Sequence, residues 1–136
     1  MKTIKPFFKI VITFLWLGFS MTNVKAGDIT DGIAKAIESG DARGLSGYFN
    51  SNVELAIQEM EGIYSKDQAE LILKNFFTSH KPTGFVILHR GGKDASKYAI
   101  GSLSTPTKNY RVTILIKMKD DSPYIHQLRI EEEHVE

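Results

Sequence analysis

Residues 64–82 read YSKDQAELILKNFFTSHKP, and the order of elements around this stretch decides the fold. Ser65-Lys66-Asp67-Gln68 has the form of a capping box, in which the Ser65 hydroxyl accepts from the Gln68 amide while Gln68 reaches back. Ala69, Ile72, Leu73, Phe76 and Phe77 then fall on one face of the helix so opened. His80, Lys81 and Pro82 close it, because the residue before a proline resists the α region. Beyond Pro82 the apolar period drops to two and no helix signal follows. Phe85 to His89, Tyr98 to Leu103, Tyr110 to Met118 and Tyr124 to Glu131 read as four strands. Gly91-Gly92-Lys93-Asp94, Thr105 to Asn109 and Asp120 to Pro123 have turn compositions, and such short links predict an antiparallel meander.

Upstream, Asp28 to Asp41 (DITDGIAKAIESGD) places Ile29, Ile33 and Ile37 on one helical stripe, with Asp28 or Thr30 as cap and Gly40 as left-handed C-cap. A second helix is expected over Ala42 to Phe49, buried through Leu45, Tyr48 and Phe49 and ended by Asn50, Ser51 and Asn52. Val53, Leu55 and Ile57 alternate with Glu54, Ala56 and Gln58 as a strand. Glu59 to Gly62 turns the chain, and Ile63-Tyr64 returns. Helices grouped ahead of strands predict an α+β domain, in which N-terminal helices pack on a strongly curved antiparallel sheet.

Met1 to Ala26 has the three parts of a secretory signal peptide. Lys2, Lys5 and Lys9 form the positive start, Ile10 to Met21 is apolar, and Val24-Lys25-Ala26 supplies the cleavage site. A dozen apolar residues form a helix of about 18 Å, too short to anchor in a hydrocarbon core of about 30 Å. The expectation is a protein exported to the periplasm or beyond, with a single domain over residues 27–136 and no stable membrane anchor after cleavage. Cleavage removes four lysines and no acidic residue, so the net charge moves from +1 to minus 3. Without a basic run, nucleic acid is not an expected partner. The chain has no cysteine, so stability rests on the core alone.

The run from Ile33 to Ala42, leading to Leu45 and Phe49, resembles the nuclear-transport-factor-two-like superfamily, to which ketosteroid isomerase and SnoaL cyclases belong. Val53-Glu54-Leu55, Tyr64 to Ala69, Phe76-Phe77 and Ile125 to Glu131 are similar, more narrowly, to the exported family called domain of unknown function 4783. The resemblance implies a cone of sheet and helices whose open end commonly takes a small apolar ligand. It also implies an outer sheet face that often forms a dimer. It transfers no activity.

An isomerase of this kind needs a carboxylate base and a neutral donor inside the cone. Tyrosine donors are plentiful, but only Glu54 and Glu131 among the acids lie on strands. Simple alternation puts His89 with Phe85 and Ile87, and His126 with Tyr124, Leu128 and Ile130, facing the interior. The spacing Ile125, Leu128, Ile130 also fits a bulge near His126 and Gln127, which would turn His126 out. Tyr48, Tyr64, His89, Tyr98 and His126 are therefore the expected ligand-binding residues, with no catalytic residue assigned. His80, His89, His126 and His134 have no metal-site spacing, and no cofactor is expected. The favoured reading is non-catalytic binding of a small apolar ligand or a protein partner. The alternatives are an isomerase or cyclase using Tyr48 or Tyr64 with Glu54 or His126, and a homodimerisation module working through the sheet.

Overall fold

A computed structural model describes residues 29–134. The leader, and Asp28 as a cap, lie outside the described residues. At the centre stands the expected capping box: the Gln68 amide donates to Ser65 Oγ, and the Ser65 amide donates to Gln68 Oε1, each at 3.2 Å. It opens a 14-residue helix, Lys66–Ser79, whose buried side carries Ala69, Leu73, Phe76 and Phe77.

Two helices precede it. The first, α1 (Thr30–Ser39), has Ile29 at the cap position, and Thr30 is the buried first residue of the helix rather than its cap. Gly40 ends α1 at φ 67°, a left-handed conformation natural to glycine, and the Gly40 and Asp41 amides reach back to Ile37 and Ala36. The second, α2 (Ala42–Ser46), is capped by Asp41, whose side chain accepts from the Gly44 amide at 2.9 Å. It is shorter than its sequence suggests, because Phe49 belongs to the next strand. Strand β1 (Phe49–Ile57) and strand β2 (Met60–Ser65) form the hairpin that leads into the long helix, α3. Asn50, Ser51 and Asn52 are part of β1 and do not end a helix. They span a register shift between Phe49, paired with Ile125, and Glu54, paired with Gln127. The need to bury Phe49 and the bond from the Ile125 amide to the Tyr48 carbonyl, 2.8 Å, extend the strand through these polar residues.

The meander follows as β3 (Gly84–Lys93), β4 (Ser96–Ser104), β5 (Asn109–Lys119) and β6 (Ser122–Glu132). Gly91, Gly92 and Lys93 continue β3, so the turn is only Asp94-Ala95. The β5–β6 turn is Asp120-Asp121, with φ 50° and 62°, the pair of positive angles that matches strand twist in a two-residue hairpin. The six strands form one curved sheet in the order β2-β1-β6-β5-β4-β3. Four pairings are antiparallel, as expected, but β1 and β6 run parallel, so the sheet is mixed.

The helices cover one face of this sheet. Ile33, Ile37, Leu45 and Leu73 from the helices meet Leu55, Leu103, Tyr110, Ile114, Ile125, Leu128 and Ile130 from the strands, all fully buried. Among the described residues no buried side-chain nitrogen or oxygen lacks a partner, and no helix is long and apolar enough to cross a membrane.

Candidate functional site: the outer face of the sheet

Which side chains reach the outer face is settled by two bulges. In β3, Ile87 pairs with Gly101 and His89 with Ile100, leaving Leu88 as an extra residue. Phe85 and Ile87 pack against the core, whereas Val86, Leu88 and His89 are exposed. Arg90, on the inner side again, bonds Asp31 of α1 at 2.9 Å. Simple alternation places His89 inside; the bulge advances the phase by one residue and turns it out. In β6, Leu115 of β5 pairs with Gln127 and Ile116 with Ile125, so His126 is the inserted residue. Ile125 and Leu128 stay buried, and His126 sits beside Tyr124, ring centroids 6.5 Å apart, on the outer side. The bulged alternative is the one adopted.

Tyr98 pairs with Leu115 on the same outer face, 40% exposed, and its ring lies over Gly91, where a Cβ would collide with it. Tyr48 and Tyr64 are the two expected residues that remain on the helix side, both half-buried against the core. The Tyr48 hydroxyl rests against Gly32 of α1. The five expected residues are thus divided by the sheet and do not line one interior pocket.

The same division separates the acid–base pair that an isomerase would use. Glu54 alternates with the buried Val53 and Leu55, and pairs with exposed Ile63 and with Gln127, on the outer face. Neither Glu54 nor His126 shares a side of the sheet with Tyr48 and Tyr64. Glu54 instead belongs to a charge cluster around Arg129. The Arg129 guanidinium donates to Glu131 at 2.8 Å and lies 3.5 Å from Glu61. Its pKa is raised by the hydrogen bond to Glu131 and by the carboxylates of Glu131, Glu61 and Glu54, against a smaller opposing effect of burial. It stays cationic at any working pH. Among the described residues no three His, Cys, Asp or Glu side chains form a metal cluster.

The outer face has two unlike halves. Over β2, β1 and β6 lie Glu61, Glu54, Arg129 and Glu131, with exposed Ile63 among these charges. Over β3, β4 and β5 lie Val86 (61% exposed), Leu88 (56%) and Tyr98, with half-buried Ile100, Leu115 and Thr113 between them. Register sets Tyr98 opposite Leu115 and Ile100 opposite both Thr113 and His89, while Val86 opposes Ser102 and Leu88 is the bulge residue next to His89. Arg111 and Lys117 border the strip on β5. Val86 and Leu88 are the residues that sequence reasoning passed over. The signal was present in the unbroken apolar run from Phe85 to Leu88, since a strand with one wet face should alternate and this one does not.

Residues 30–131 match the family described as Domain of unknown function (DUF4783). A protein of this family from Bacteroides uniformis is 30% identical, with a TM-score of 0.76 over 79% of this chain and 100% of its own. Another, from Bacteroides ovatus, is 32% identical, with a TM-score of 0.75 over 80% of this chain and 99% of its own. At 11% identity, a domain of unknown function with a cystatin-like fold from Nostoc punctiforme has a TM-score of 0.62 over 77% of this chain and 73% of its own, a likeness of fold alone. None of the curated proteins matches the chain. With the family's model matched over residues 30–131 and its solved structures covered almost end to end at 30–32% identity, this chain belongs to the DUF4783 family and has the nuclear-transport-factor-two-like fold.

Proposed function

We propose that this is an exported, non-catalytic binding module whose outer sheet face docks a protein, with a second copy of the chain as its occupant. One observation carries the reading: the apolar strip of Val86, Leu88, Tyr98, Ile100 and Leu115 lies in the open, on the side of the sheet away from the helices. Contiguous exposed apolar surface of this kind marks interaction sites rather than ordinary solvent-facing sheet. A two-fold contact sets the strip against itself, so the chain already carries the complementary surface that its partner needs. The interior supports the reading from the other side, since large buried side chains occupy the space between helices and sheet.

Sedimentation velocity over a concentration series tests the occupant. The expected result is a boundary that moves from monomer to dimer mass as concentration rises; a monomer at every concentration overturns self-association. Export rests on the pattern of residues 1–26. The expected N-terminus of protein recovered from the cell envelope is Gly27, and recovery only from the cytoplasm with Met1 intact would remove this part of the reading.

A further inference from the structure

Two clefts of similar size lie apart from the apolar strip, and their chemistry differs. One, of ≈ 850 Å³ beside α2 and α3, sets Arg43, Lys74 and Lys81 against Asp41, Asp67 and Glu70, a balanced lining. The other, of ≈ 830 Å³, opens between the second half of α3, the Gln58-Glu59 turn and the end of β6. Its floor is apolar: Ile57 and Phe76 are buried, Ile72 is half-buried, and Met60 stands exposed at the lip. Its lining includes Glu59, Glu131 and Glu132 but neither lysine nor arginine. Glu131 and Glu132 are bonded from outside the cleft by Arg129 and Lys108, whereas Glu59 has no ion pair among the described residues.

The cleft also holds one polar side chain in a fixed orientation. His80 Nδ1 lies 3.1 Å from the Phe76 carbonyl. A carbonyl only accepts, so Nδ1 carries the proton and Nε2 of the neutral ring is an acceptor. The ring is stacked on Phe76 at 4.6 Å and set edge-on to Tyr110 at 5.7 Å, which fixes its orientation. An apolar floor, an oriented acceptor and an unpaired carboxylate at the rim together suit one kind of ligand.

We propose that this cleft binds a small organic cation, an ammonium group carried on an aromatic or alkyl body. The body rests on Ile72, Met60 and Phe76, the ammonium group faces Glu59, and its N–H groups have His80 Nε2 as a second acceptor. Volumes of this size suit such ligands, and a rim without lysine or arginine disfavours carboxylates of the same shape.

The test follows the methyl resonances of Ile57, Met60 and Ile72 while the protein is titrated at neutral pH with 2-phenylethylamine, and separately with phenylacetate. Saturable shifts of these methyls by the amine, with little response to the acid, are expected. The exposed Glu59→Lys variant should bind the amine about tenfold more weakly or worse, since reversing one charge at contact range is worth that much even in water. No shift with the amine, an equal shift with phenylacetate, or unchanged binding in Glu59→Lys would each overturn the proposal. The cleft and the outer face share no residue of the apolar strip, so this result stands apart from the oligomeric state.

Discussion

Replacing Tyr110 by alanine is expected to cost the domain about 3–5 kcal/mol. Tyr110 is fully buried on the inner face of β5, where its ring meets Phe76 edge-on at 5.3 Å and His80 at 5.7 Å. Alanine leaves the floor of α3 without the surface that Phe76 packs on, and β5 is too tightly paired on both sides to collapse into the space. A domain of this size has about 5–15 kcal/mol in total, and the chain has no disulfide to fall back on. Urea denaturation monitored by circular dichroism gives the comparison, with the shift in midpoint as the readout. A loss below about 1 kcal/mol would mean that Tyr110 borders open space rather than packed side chains.

That number also bears on function. A hollow cone would put its tyrosines at the service of a ligand, and truncating one would change binding more than stability. The filled interior assigns Tyr110, Leu103 and Leu128 to packing. Binding is then directed to surfaces the helices leave open.

Much of this architecture is legible in the chain. The capping box at Ser65 and the switch of period at Pro82 locate α3 and the meander, because both depend on interactions within a few residues. The start of β1 was hidden for the opposite reason. Asn50, Ser51 and Asn52 have the composition of a break, and only the parallel pairing with β6, some 70 residues away, holds them extended. The two histidines make the same contrast. His126 announces its bulge through the spacing of Ile125, Leu128 and Ile130, three residues that must share a face and do so only if one is inserted between them. His89 follows a bulge that leaves no such trace, since every residue from Phe85 to Leu88 is apolar and any phase looks acceptable. The candidate surface depends on that phase, and pairing with β4 decides it.

The second large effect is on association. Leu88 is 56% exposed in the bulge of β3, at the edge of the apolar strip and outside the core, so an aspartate there stays in water in the monomer and should leave folding intact. In a two-fold contact it would put a carboxylate against apolar side chains from both copies. The expected cost is about 2 kcal/mol or more, roughly 30-fold in the dimer dissociation constant, because the carboxylate leaves water without a partner. Leu71 supplies the control: it is 59% exposed on α3, remote from the sheet face, and Leu71→Asp should leave association unchanged. Sedimentation of the wild-type protein, Leu88→Asp and Leu71→Asp side by side is the most direct measurement of the account. It predicts dimer, monomer and dimer at one shared concentration, with the folded circular dichroism spectrum retained in Leu88→Asp and its unfolding midpoint lower only by what association adds to the wild type; a Leu88→Asp protein that still associates as the wild type does would contradict the outer face as the binding surface.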